Sequence, residues 1–208
     1  SMWQKSSGVT GDGMVGPTSH RRILAERQSA LPTPAKVPAR TSEHLVHNGR
    51  KLPIAWDKVV LWTEKGGLTT ASGAYNDMSG RAERKPTMFV NHWDACLNSA
   101  ACADVLQKRG ISVHFCIDND GTIYQLLDTQ HVAWHAGDRK INHLSIGVEV
   151  ANAYYTKYQG WYEKNGFGKR PILDGVRCHG VKLEPFLGFY PVQLQALQAL
   201  WKSLHQGL

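Results

Sequence analysis

The chain is short of several things, and each shortage excludes something. No run of eighteen or more apolar residues occurs in its 208 residues, so no membrane-spanning helix is expected. The first twenty residues show no charged-then-apolar pattern, so no signal peptide is read there. There are only 4 cysteines, Cys96, Cys102, Cys116 and Cys178, and no C-x-x-C pair, which argues against a structural zinc knot. Cys96 and Cys102 flank a short loop and read either as a small disulfide or as two half-buried thiols. Cys116 lies in an apolar run and reads as a packed thiol. The net charge of +7 favours a polyanion: nucleic acid, anionic lipid or a cell-wall polymer. The Lys and Arg are scattered, however, with no dense basic helix or aromatic-basic alternation, so nucleic acid is not the expected partner.

What is present suits a globular core. The apolar fraction is 42%. Residues 1–26 carry turn signals at Asp12-Gly13 and Gly16-Pro17 and are too few to bury a core alone. Residues 27–41, with Pro32, Pro34 and Pro38 and no apolar period, read as an extended linker. The main domain, 42–208, alternates strand-like and helix-like segments. Strands are expected at Trp56–Trp62, Met88–Asn91, Val113–Ile117 and Thr122–Leu127, with a hairpin turn at Asn119-Asp120-Gly121. Gly66–Gly80 reads as a surface loop, Ala95–Arg109 as a helix stopped by Gly110, and 153–190 as a long irregular insertion. Leu144–Val150 is a continuous apolar run, expected as a central strand buried on both faces. Pro191 opens an amphipathic helix with Leu194, Leu197, Leu200, Trp201 and Leu204 at helical spacing. The expected class is α/β, a mixed central sheet flanked by helices.

Glu149 sits inside that apolar run. An acid there is costly to bury without a partner. It reads as a general base with a raised pKa, or as a structural Glu paired with a cation from the insertion. Ser145 and Gly147 share its strand face and are small enough to leave a cleft above it. His92 ends the apolar run MFVNH and reads as a zinc ligand, or as a hydrogen-bonded histidine at a strand terminus. Trp134-His135-Ala136-Gly137 reads as a loop under a sugar or peptide ligand, or as a turn anchored by a packed Trp. Asn142 and His114 are further polar candidates close by.

The words HF-x-I-D-x-D-G-x-I-Y-Q, A-W-H-A-G and N-x-x-S-I-G-V-E, in that order, resemble the zinc-dependent N-acetylmuramoyl-L-alanine amidases of type 2. That group includes phage lysozyme-type amidases and peptidoglycan-recognition proteins. The resemblance runs from Met88 through the final helix, and residues 1–26 are similar to the end of a peptidoglycan-binding repeat. It implies an amidase cutting the bond between N-acetylmuramic acid and L-alanine in peptidoglycan with zinc-activated water. It further implies that His92 is the first zinc ligand, Glu149 the base, and Trp134 and His135 the border of the substrate groove, with a disulfide between Cys96 and Cys102. The family takes its second and third ligands after the last helix, so they are expected beyond Leu208, with His131, His143 and His179 as substitutes within the chain. Where some members carry a catalytic Tyr this chain has Val113. The rival expectations are a peptidoglycan-binding module that does not cut, and a structural part of a larger assembly such as a phage particle. The substrate implies a cell-wall, periplasmic or extracellular location.

Overall fold

The computed structural model describes residues 43–208. The expected repeat at 1–26 and linker at 27–41 lie outside the described residues. The described chain divides into two units, 43–174 with 185–208, and the segment 175–184. The second contributes a small hairpin, β11 (Arg177–Cys178) against β12 (Val181–Lys182), turning at His179 and Gly180, both with positive φ.

The larger unit is built on a five-stranded mixed sheet in the order β3-β7-β6-β9-β5. Its strands are β3 (Val59–Leu61), β5 (Met88–Trp93), β6 (Phe115–Ile117), β7 (Ile123–Gln125) and β9 (Ser145–Val150). Only the β6–β7 pair is antiparallel, joined by the expected turn, where Gly121 has a φ of 81°. Gly121 can have no side chain there, because a Cβ would lie 2.7 Å from Val192 and 3.0 Å from Trp56. β9 runs parallel to β5 on one side and β6 on the other, and all six of its residues are buried. Its near-continuous apolar sequence is what a strand covered on both faces requires.

The two faces are covered by different helices. Phe115, Ile117, Ile146, Val148 and Val150 point one way and pack on Ala196, Leu200 and Leu204 of helix α4 (Pro191–Gly207). The hairpin β1 (Glu43–His47) and β2 (Arg50–Ile54) adds Leu45, Leu52 and Ile54 to that core. On the other face, Cys102, Ala103 and Leu106 of helix α1 (Ser99–Arg109) pack on Val113, Cys116 and Leu126.

Several boundaries differ from the sequence expectation, each for a visible reason. α1 begins four residues late because Ala95 takes a positive φ of 54° and the Asn98 side chain accepts from Ala101 N, capping the helix there. Its other end is as expected, with Gly110 at φ 63°. The strand expected over Trp56–Trp62 contracts to Val59–Leu61, since Trp56 is buried as an anchor with its indole N–H on Gly121 O, 2.8 Å away. The insertion holds a 3-10 turn (Thr156–Tyr158), a short helix α3 (Gln159–Lys164), and β10 (Ile172–Leu173) paired with β13 (Phe186–Leu187). Within the loop Gly66–Gly80, β4 (Tyr75–Asn76) pairs with β8 (Val132–Ala133).

Candidate active site

Parallel pairing of β5 with β9 sets His92 directly beside Glu149, and pairing of β9 with β6 sets Cys116 on the other flank of Glu149. Residues in register point to the same face. His92, Glu149 and Cys116 therefore form a row on the α1 side of the sheet. Ser145 and Gly147 follow on the same face of β9.

The Trp134–Gly137 loop folds over this row. Asn142, in the short helix α2 (Arg139–Leu144), holds it down: its Oδ1 accepts from His135 N at 3.1 Å and Ala136 N at 2.8 Å. Ser112 Oγ accepts from Trp134 N at 2.9 Å, and the Trp134 indole donates to Asn76 Oδ1 at 2.8 Å. The His135 ring lies on Gly147 so closely that a Cβ there would stand 2.6 Å from it. Gly147 is thus small for a stated reason, which is to seat an imidazole against the sheet.

A hydrogen-bond chain fixes the two histidines. Ser145 Oγ donates to Ile141 O at 2.6 Å, so it accepts from His135 Nε2 at 3.2 Å. His135 Nδ1 then accepts from His92 Nε2 at 3.0 Å. The proton positions follow from this network. Burial lowers the His92 pKa, and burial, followed by the neighbouring His92 and Arg84 groups, brings His135 to about 3, so the surroundings favour the neutral rings.

Glu149 is 9% exposed, and its Oε2 is buried without a hydrogen-bond partner. Among the described residues it forms no ion pair, so the sequence alternative of a structural Glu paired with a cation from the insertion is not what the structure holds. Burial, reinforced by Asp94 and opposed by Arg109, raises its pKa to about 8. Asp94, just past the end of β5, is in a similar condition. Its Oδ1 accepts from Cys96 N and Asn152 N, both at 2.9 Å, its Oδ2 is buried without a partner, and burial raises its pKa to about 7.

His114 is a correction. Expected as a substrate contact, it is fully buried, with Nδ1 accepting from Gly147 N at 3.1 Å and Nε2 3.1 Å from His131 O. No surface is left for a ligand, and its part is to brace β9 beneath the site. Asn142, also expected to touch substrate, spends its side-chain oxygen on the loop backbone. Trp134 and His135 are half-buried and border the row. Of the substitute ligands, His131 accepts from Met78 N and meets Asp77 at 3.3 Å, His143 is exposed, and His179 lies in the 175–184 hairpin. Cys96 and Cys102 are free thiols, not the expected disulfide.

Sequence reading missed Arg84. It is 4% exposed and donates to Thr129 O, His143 O and Ser145 O, tying the start of β9 to the loop before β8. Burial lowers its pKa to about 10. Its context, RAERKP, is mostly charged and gives no hint of burial.

Zinc fits this site in part. His92 offers an imidazole at the strand end, while both ring nitrogens of His135 are engaged by Ser145 and His92, and the orphaned Glu149 oxygen is what a nearby cation or polarised water would satisfy. A catalytic zinc takes three protein ligands and keeps an open position. The described residues complete no such set around His92; their one three-donor cluster is Asp94, Cys96 and Cys102.

Residues 82–207 match the family described as N-acetylmuramoyl-L-alanine amidase. The chain belongs to that family. Among solved structures, the chain is similar to Escherichia coli AmiD, solved with its substrate anhydro-N-acetylmuramic acid-L-Ala-D-gamma-Glu-L-Lys, at 23% identity and TM-score 0.41, over 68% of this chain and 52% of that one. It is likewise similar to AmpDh3 of Pseudomonas aeruginosa, at 23% identity and TM-score 0.41, over 67% of this chain and 52% of that one. The chain thus spans about half the length of these structures. No protein of curated function matches it.

Proposed function

We propose that the chain hydrolyses the amide bond between N-acetylmuramic acid and L-alanine in peptidoglycan. One observation carries this reading: a buried carboxyl with an unsatisfied oxygen, Glu149, in register beside His92. Water supplies the nucleophile. Glu149 takes a proton from it as the oxygen attacks the lactyl carbonyl carbon, and passes that proton to the amine nitrogen as the C–N bond breaks. Its raised proton affinity suits both halves of the transfer. His135, held by Ser145 and His92, borders the reacting groups, and Trp134 offers a flat apolar surface to a sugar ring or peptide. When bound, zinc would supply polarisation of the carbonyl and a lowered pKa of water, and His92 is the described residue that would hold it. A peptidoglycan substrate implies cell-wall, periplasmic or extracellular action.

The test is release of free stem peptide from purified peptidoglycan by the full chain, with Glu149→Gln and a chelator as separate arms. Loss of cleavage in Glu149→Gln with retained wall binding supports the reading, and loss with the chelator supports zinc. Wall binding by the wild-type chain with no cleavage, metal supplied, would establish instead a binding module.

A further inference from the structure

Beside the row of His92 and Glu149 lies a cluster that the proposed hydrolysis does not use. β5 ends at Trp93, and the chain turns at Asp94 and at Ala95, whose φ is positive, before α1 begins at Ser99. The turn brings Cys96 back toward Cys102, one turn into α1. One donor atom each from Asp94, Cys96 and Cys102 lie within 4.8 Å of one another. We propose that Asp94, Cys96 and Cys102 form a binding site for a soft d10 divalent cation of the zinc class, separate from the His92 site.

Three observations carry this. The donors are right: two sulfurs and a carboxylate oxygen suit zinc or cadmium and not magnesium or calcium. The spacing is close, since a tetrahedral zinc with Zn–S bonds of about 2.3 Å holds its ligand atoms roughly 3.7 Å apart, so the cluster closes by about 1 Å at most. The third is a carboxyl already set against a thiol: Asp94 Oδ1 is fixed by two backbone N–H groups, Oδ2 is buried with no hydrogen bond of ordinary geometry, and the Cys102 thiol contacts the carboxyl. The Cys116 thiol, in hydrogen-bond contact with Cys102, puts a further sulfur on the same side. Cys96 is half-exposed and gives a cation its way in.

Binding forms two metal–sulfur bonds and one metal–oxygen bond and releases the two thiol protons to solvent. It ties the end of the strand carrying His92 to the first turn of α1, so the ion acts as a staple at the rim of the site. It needs no redox partner and does not depend on the hydrolysis reading.

The experiment adds cobalt(II), then zinc, to reduced, metal-free full chain under anaerobic conditions. The expected result is an intense near-ultraviolet thiolate-to-cobalt absorption that zinc displaces. Cys96→Ser/Cys102→Ser should lose the absorption and weaken metal binding on the order of 100-fold or more. His92→Ala and Cys178→Ser should keep it. Zinc should also raise the melting temperature of the wild type, and the serine pair should lose that rise while showing a wild-type circular dichroism spectrum. A folded, reduced wild type with no thiolate absorption overturns the proposal. So does absorption that survives in the serine pair or vanishes in His92→Ala or Cys178→Ser. If the serine pair does not fold, Cys96→Ser alone decides on the same criteria.

Discussion

One strand carries two different molecules on its two faces. Ile146, Val148 and Val150 of β9 point into an apolar core closed by α4. Ser145, Gly147 and Glu149, alternating with them, point toward α1 and carry a hydroxyl on His135, a bare backbone beneath an imidazole and an unsatisfied acid. The first face removes polar groups from itself. The second collects them and leaves two carboxylate oxygens, of Glu149 and Asp94, without partners. Buried polar groups are normally satisfied, so this face is tuned for something other than stability. The lesson is that stability and chemistry here share a backbone but not a face, and they can be separated by substitution.

The largest effect should come from Glu149→Gln. Amide cleavage should fall on the order of 100- to 10,000-fold, the usual worth of a general base, measured as stem-peptide release. The same change should stabilise the fold. A carboxyl whose folded pKa is raised holds a proton that the unfolded chain has lost, so between about pH 4.5 and 8 the native state is progressively disfavoured as pH rises. Removing the charge should recover on the order of 2 kcal/mol at pH 7, read by chemical denaturation. A variant that is both inactive and less stable would break the contrast. On the opposite face Leu200→Ala should do the reverse. It empties a fully buried position in α4, and should cost about 2–5 kcal/mol while leaving the specific activity of the folded fraction near wild type.

The apolar face was the legible one. Continuous hydrophobicity marked β9, period 3.6 marked α4, and Asn119–Gly121 marked a turn, because burial writes itself into residue type. Glu149 and His92 were legible as exceptions within apolar runs. Their partners were not. Nothing in linear order says that His135 lies on Gly147 or that Ser145 orients it, since both contacts follow from strand register and a loop fold. His114 misled because a neutral histidine bracing a strand and one touching substrate look alike in sequence. Arg84 escaped for the opposite reason, a buried cation in a polar stretch. The β1–β2 hairpin also went unassigned, although Asn48-Gly49 between apolar segments, both with positive φ, is a strong hairpin signal. Pro53 on the outer strand obscured it.

Gly147→Ala tests how tightly the polar face is set. The new methyl would meet the His135 ring at 2.6 Å, and the ring is held by Ser145 and His92 and cannot swing away freely. The expected cost is about 1–3 kcal/mol, the usual penalty of overpacking. Activity should fall further than stability alone explains, because His135 is displaced from the site. Equal loss in both would mean that the His135 position does not matter to the reaction.

The smallest effect is one of pH. Burial holds His114 neutral, its pKa well below 6.5, with the Arg84 charge adding to the shift. Its Nδ1 already accepts from Gly147 N, so a second ring proton has no place to go without breaking that bond. In the unfolded chain the same residue titrates near 6.5. Below that pH the unfolded state binds the extra proton and the native state does not, so stability falls as pH drops. The slope is about 1.4 kcal/mol per pH unit for each such histidine. His47, His92 and His135 are shifted the same way and add to it. His114→Gln should therefore flatten the slope below pH 6.5 by about one histidine's share, read from urea midpoints at successive pH values. The flattening should come without the gain at pH 7 expected of Glu149→Gln. That difference in pH signature would separate a polar group that braces the catalytic face from one that works on it.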